Sequence, residues 1–213
     1  MHLKYGLDRL SAAIIVALGA TFATLPAQAQ TSTDAVQRVR VRGTVSSLDA
    51  TTLTVKTREG ETAKVALKSG WQVAGVIKAS VDDIKPGDFV GIASVPKAEG
   101  GDGALEVLIF PAAMKGTGEG SYAWDVKPNS SMTNATVADA VKSVDGRTVT
   151  VKYQGKEKKI SIADGTPIVT FAPATVTDLT PGAVVFVPAE KAADGAISTN
   201  RVVVGTNGVV PPM

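Results

Sequence analysis

Two spacings in this chain could carry chemistry. Ser94-Val-Pro-Lys97 has the serine-x-x-lysine spacing of some acyl-enzymes. That pairing needs a helical turn to bring both side chains to one side. Here Pro96 stands where a strand runs out into a loop, so the match reads as accidental. Asp82, Asp83 and Asp88 could offer oxygen ligands to calcium, but no Asp-x-Asp-x-Asp-Gly loop is present and charged turn residues account for them. The wider inventory decides more. There is no cysteine, and the one histidine is His2. A chain processed behind that residue has no Ser–His or Cys–His pair, no thiolate site and no histidine-bound zinc. The reading is therefore of a protein that is not an enzyme, with no cofactor and no metal site.

A different kind of chemistry is concentrated in one stretch. Lys115-Gly-Thr-Gly-Glu-Gly120 leads into Tyr122-Ala-Trp124-Asp125, and then into Met132-Thr-Asn134-Ala. Aromatic and amide side chains on a connecting segment point to binding more than core residues do. Tyr122, Trp124, Asp125, Met132 and Asn134 are the candidate contacts for a ligand or partner. The competing reading has Trp124 and Met132 plug a groove, which removes apolar surface from water. The glycines make a poor phosphate loop, because no strand–turn–helix surrounds them and the lysine precedes them. Arg38, Arg40 and Arg42 form a basic stripe. An anion or nucleic-acid surface would also need outward aromatics for stacking, and strand parity supplies none, so the stripe reads as a solvated face and no nucleic-acid partner is expected.

The elements that position these residues begin after a removable segment. Lys4 and Arg9 precede a short apolar run from Leu10 to Leu25, and Ala27-Gln28-Ala29 has the small-x-small form of a cleavage site. Residues 1–29 read as a Sec-type signal peptide cleaved after Ala29, which implies a periplasmic or secreted protein with no transmembrane span left. Without Lys4, Arg9 and Asp8 the basic residues fall from 22 to 20 and the acidic ones from 20 to 19. A net charge of about +1 gives no electrostatic reason to bind nucleic acid or membrane.

Beyond a flexible tail at 30–37 the residues alternate. Val39, Val41 and Val45 share one face, and the arginines take the other. Gly43 interrupts the strand where a small barrel needs a bend or bulge. Leu53 and Val55 continue inward on a second strand, and Ala63, Val65 and Leu67 on a third. Ser69-Gly70 breaks the pattern, and residues 71–79 fit either a strand-like segment or a short helix. Pro86-Gly87 turns the chain into a fourth strand, and 104–110 make a fifth. The plan then returns. Val149 and Val151 repeat Leu53 and Val55 ninety-six positions on, and Pro181-Gly182 repeats Pro86-Gly87 at ninety-five. The fold expected is all-β: two tandem five-stranded OB-like small barrels at 38–111 and 135–205. An irregular Gly-rich, aromatic linker at 112–134 joins them, and a C-terminal tail follows at 206–213. Barrels this small are marginal alone, so the two should dock.

The pattern Gly-Thr-Val, then Asp, then Leu-Thr-Val, with Asp-x-x-Pro-Gly-Asp and a closing Asp-Gly, resembles an exported bacterial family of small β-barrel domains. That family carries a domain-of-unknown-function label. Residues 43–110 resemble it best. Residues 139–204 make a divergent copy, with Asp139 and Ala183 in place of Gly43 and Asp88. The resemblance implies a fold and an envelope location and is silent on activity. Chains sharing the Trp-Asp and Met-Thr-Asn-Ala segment sometimes carry a metal-transporter label, which implies an accessory role at most, since a permease needs several spanning helices. Two functions are therefore expected in turn. The first is an exported, non-catalytic binding or interaction protein whose partner is an unidentified envelope protein or small ligand. The second is a periplasmic accessory to metal transport or envelope stress handling that uses carboxylate ligands.

Overall fold

The period-two alternation from Arg38 onward becomes a long strand. The structure, a computed structural model, describes residues 36–143 and 146–212. The expected signal segment and its cleavage point lie outside those residues, as does Asp145 of the second hairpin. Strands β1 (Gln37–Leu48), β2 (Thr52–Thr57) and β3 (Thr62–Lys78) form an antiparallel meander. After a 3-10 turn at Val81–Asp83 come β4 (Phe89–Pro96) and β5 (Asp102–Ile109). A short β6 (Gly120–Ala123) precedes β7 (Ser131–Ser143), β8 (Gly146–Tyr153) and β9 (Lys156–Ala163). Strands β10 (Ile168–Ala172), β11 (Val184–Lys191) and β12 (Ile197–Gly205) complete the chain.

The all-β expectation holds, with a closed five-stranded barrel at its centre, but the strands in that barrel are not consecutive. β1, β2 and β3 are joined by β11 and β12: β1 pairs antiparallel with β11, and β12 runs parallel to β3 and closes the ring. Its core is Val41, Val45, Leu53, Val55 and Val65 from the first copy, with Val185, Val187, Val202 and Val204 from the second. A second circuit of pairings takes β4 and β5 from the first copy and β7, β8 and β9 from the second. It closes through only two residue pairs between β5 and β9, Asp102↔Ile160 and Gly103↔Ser161. The Lys158 ammonium lies 2.6 Å from Asp102 and stitches that short seam. Each set of pairings thus takes strands from both of the expected segments, 38–111 and 135–205.

The exchange follows a pseudo-twofold relation. Val73↔Val202 between β3 and β12 is repeated by Ile168↔Val107 between β10 and β5, with 73 displaced to 168 and 107 to 202, ninety-five positions each. The end of β3 and its counterpart β10 pair antiparallel across the axis, Val76 opposite Phe171. Both Val76 and Val169 are buried there with Leu108, Phe186 and Val203 in a small core between the two rings.

Four local expectations change. Residues 71–78 are strand, and β3 runs through Ser69-Gly70, where Gly70 has a φ of 73° and the pairing with β12 skips from Leu67 to Gln72. Gly43 is not the bulge, which falls between Val45 and Ser47. It is needed because a Cβ there would lie 2.0 Å from the Lys56 carbonyl oxygen. The linker is not wholly irregular, since 120–123 form β6 on the edge of β7 and 131–134 belong to β7 itself. Gln37, placed in the tail, opens β1, and at the other end Pro211 and Pro212 are buried.

Because neither ring can be assembled from one copy, the two should unfold together. A denaturant titration read by far-UV circular dichroism and by tryptophan fluorescence should give one coincident transition. Two separated transitions would show that the exchanged strands do not couple the rings.

Candidate functional site

The junction core does not fill the space above it. A cleft of about 800 Å³ opens there, within the range of small-molecule sites. Its floor is apolar, with Leu108, Phe110, Phe171, Phe186 and Val203. Phe89, Phe110 and Phe171 stack in series at 5.3 and 5.8 Å between ring centres, so the aromatic floor is braced from one ring to the other. β7 and the linker form one wall, including Met114, Tyr122, Trp124, Met132 and Asn134.

The linker is fastened to the wall by its own chemistry. β6 pairs with β7 from Gly120↔Asn134 to Ala123↔Ser131. The chain then loops from Trp124 to Ser130. Trp124 N donates to Ser130 O at 2.8 Å, the Ser130 hydroxyl donates to the Trp124 and Lys127 carbonyls, and Asn129 adopts a φ of 61°. This loop carries Trp124 and Asp125 across to β1. The Arg40 guanidinium lies 3.7 Å over the Trp124 ring and that of Arg42 5.7 Å from it, while Arg42 also stacks 5.3 Å from Phe186. Asp125 accepts from Arg42 at 2.7 Å and from Arg40 at 3.4 Å. Partial burial pulls the Asp125 carboxyl up, but the hydrogen bond and charge of Arg42, with Arg40 behind it, outweigh that and hold it below the ordinary 3.8. Tyr122 packs edge-on to Trp124 at 5.9 Å. Burial pushes its phenol up against the opposing charge of Arg40 and Arg38.

Asn134 is the polar pin of the neutral wall. Its amide donates to the Tyr122 hydroxyl at 3.2 Å and to the Thr117 carbonyl at 3.3 Å. It reaches this position because residue 91, opposite it on β4, is glycine: a Cβ there would come within 2.8 Å of Asn134 Oδ1 and 3.2 Å of the Phe110 ring. Met132 is buried beside it.

Four of the five residues singled out in the sequence thus line one cleft, and the fifth, Asp125, sits behind Arg40 at its edge. The arginine stripe is a solvated face only at Arg38, which is exposed, and not at the other two positions. Arg42 is nearly covered, with 10% of its side chain exposed, and Arg40 retains 28%. Parity placed these side chains outward, but nothing in the local sequence says that a segment 85 positions away lies over them. Lys68, Glu190 and Arg201 complete the charged residues of the cleft, and sequence reasoning did not find them. Strand alternation was the only available signal.

The remaining candidates separate. The Ser94 hydroxyl donates to Asp102 at 2.8 Å and has no exposed surface, while Lys97 turns to Glu99 and Ser161. Ser94 and Lys97 do not form a pair. Lys158 approaches Ser94 at 3.4 Å, but it also binds Ser131 and Asp102 in a partly buried structural cluster. Asp82 pairs with Arg147, Asp83 caps the 3-10 turn at Ser80, and Asp88 accepts from Lys85 N, so the three carboxylates do not converge. Among the described residues no group of three or more His, Cys, Asp or Glu side chains could hold a metal ion, and no helix is long and apolar enough to cross a membrane. The chain matches no family model, and no curated protein or solved structure matches it.

The Asp125 contact gives a signed pH dependence. A carboxyl whose folded pKa is lowered contributes stability that is fully present above the unfolded value of 3.8 and is lost as pH falls through the lower folded value. The loop should therefore loosen only in that acid range. Acrylamide quenching of Trp124 in a Trp71→Phe background should rise there. Asp125→Asn should show the higher quenching already at pH 7 while costing less than about 1 kcal/mol of global stability, as expected for a half-exposed pair. Quenching that is flat with pH and unchanged by the substitution would mean that Asp125 does not hold the loop.

Proposed function

We propose that this protein is an exported, non-catalytic binding protein and that the cleft over the junction holds its small-molecule ligand. One observation carries the reading. A single concave surface of about 800 Å³ with an apolar aromatic floor gathers four side chains that the sequence marks for binding. Sites for small molecules have this make-up, with apolar walls that supply affinity and a few fixed polar groups that supply orientation. The polar groups here are held in place by other contacts, Asn134 by Tyr122 and Thr117 and Arg40 by Trp124 and Asp125. The absence of cysteine, and of any histidine after residue 2, supports a role without proton transfer or covalent chemistry. Export is supported by the basic, apolar and Ala-Gln-Ala order of the first 29 residues.

The cleft is tested with a neutral, environment-sensitive naphthylamine dye. Saturable fluorescence enhancement at one site per chain is expected. It should be lost in Ala123→Trp, which places bulk at an exposed position on the cleft wall while sparing the core. An undiminished signal from that variant would place the dye elsewhere and remove the cleft from consideration. Export is checked separately by the intact mass of the protein recovered from its native host, which should correspond to a chain beginning at Gln30. A chain that retains residues 1–29 would overturn it.

A further inference from the structure

The cleft straddles a pseudo-twofold axis, yet its two halves are chemically unlike. β1 and β11 in one ring are matched by β7 and β4 in the other, so that Arg42 opposite Phe186 corresponds to Asn134 opposite Gly91, and Arg40 opposite Pro188 corresponds to Met132 opposite Ala93. The backbone is repeated and the charge is not. All five charged residues that line the cleft, Arg38, Arg40, Lys68, Glu190 and Arg201, lie on β1, β3, β11 and β12. The half formed by β4, β5, β7 and the linker carries no charged lining residue, with Leu108, Phe110, Met114 and Met132 among its lining. Four cations against one carboxylate leave the first half with a charge of +3. Asp125 beside Arg40 lowers that to +2.

Those cations are not all engaged. Lys68 pairs with Glu190, and Arg40 shares Asp125 with Arg42. Arg201 has no carboxylate partner among the described residues, and Arg38 lies across from Glu190, which Lys68 binds more closely, so Arg38 meets that carboxylate only at a distance. Arg38 and Arg40 project from one face of β1, and Arg201 stands on β12, two strands away or roughly 10 Å across the sheet. Arginine side chains of that spacing can converge on one small anionic group, which their planar donors suit. Arg40 is the exchangeable member, since its contact with Asp125 is 3.4 Å whereas Arg42 keeps its own at 2.7 Å.

Resting on the cleft as the binding site, we propose that its ligand is an amphipathic monoanion, an alkyl chain with a carboxylate head. The chain lies along Leu108, Phe110, Phe171 and Met132. The head is received by Arg38, Arg40 and Arg201, and takes Arg40 from Asp125. The bound head and Asp125 then compete for one guanidinium, so removing the Asp125 charge should favour the ligand. The same chemistry could be presented by a free fatty acid or by an anionic lipid in a bilayer, and the two sources behave differently in solution.

The test is calorimetric titration of the whole protein with octanoate, decanoate and dodecanoate below their micellar concentrations, beside dodecanol and dodecyltrimethylammonium. Affinity should rise about fourfold per added methylene. Dodecanoate should bind about tenfold tighter than dodecanol, as a desolvated charge-assisted contact implies. Arg201→Gln should remove most of that gap and leave dodecanol unchanged, and Asp125→Asn should tighten dodecanoate by up to about fivefold. Sedimentation with phosphatidylglycerol vesicles separates the sources: free amphiphile predicts no association, and association without binding of soluble dodecanoate would overturn the proposal. Equal affinities for dodecanoate and dodecanol would also overturn it, while leaving the cleft intact as a binding site. If the neutral dye too failed to bind, the reading of the cleft itself would fall. Tighter binding of the ammonium amphiphile than of dodecanoate would invert the assigned charge.

Discussion

A β-strand at the edge of a sheet leaves a row of N–H and C=O groups that must find partners, and in a ring of five strands the last edge can be satisfied only by the first. Here that closure is made by β12 running parallel to β3, with Val73 opposite Val202, and in the second circuit by β9 meeting β5 over two residue pairs. Everything else depends on where these closing strands come from. Strands four and five of each copy leave the meander that precedes them and complete the other one. The covalent connections thereby become tethers between the rings, and the small Val76, Leu108, Val169, Phe186 and Val203 core is trapped where they cross. The cost in loop entropy is slight, because it grows only with the logarithm of the separation between paired residues. The cost in folding rate is larger, since few of the closing contacts are local.

The same crossing creates the cleft and then makes it asymmetric. Two equivalent walls face each other across the pseudo-twofold axis, so identical side chains would give a symmetric trough. Divergence at a few paired positions breaks that symmetry. Phe186 on one side stacks with Arg42, and on the other side Gly91 leaves room for Asn134 to turn in against the strand. Placing a side chain at 91 would displace Asn134 and with it the bond to Tyr122 that holds β6 and the linker against β7. Neutrality on one wall and positive charge on the other thus follow from substitutions that a repeated backbone tolerates.

The inward pattern was legible in the sequence because it depends on period two alone. Leu53, Val55, Val149 and Val151 are all fully buried, as their alternation requires. The exchange was not legible, since β4 and β5 bury the same side chains whichever meander they complete, and hydrophobic patterning is blind to that choice. Continuation of β3 past Gly70 was obscured for a related reason. A glycine with positive φ normally ends an element, whereas here it marks a bulge in a strand that pairs with β2, β12 and β10. Strand β10 went unrecognised because its equivalent is the second half of that strand. In the site, the aromatic and amide residues of 122–134 stood out by type. The arginines stood out by type and were assigned to solvent, since parity reports which face a side chain takes and not what later lies on it.

That last contact shows how a surface segment can be held by polar chemistry rather than by burial. Had the loop at 124–130 been fixed by a deeply buried apolar anchor, moving it would expose area worth about 1.5–3 kcal/mol for each large side chain. It is held instead by an indole under the Arg40 guanidinium, with Arg42 farther off, and by a carboxylate with 47% of its surface still in water. Such contacts contribute little to global stability because water competes for both partners at nearly the same free energy. They are directional all the same, so the loop has a definite place. The anion proposed for the cleft would meet the same near-balance in competing with Asp125 for Arg40. In the proposed ligand site, an aromatic floor packed where the strands cross would supply affinity, and a wall fastened by exchangeable polar contacts would supply access.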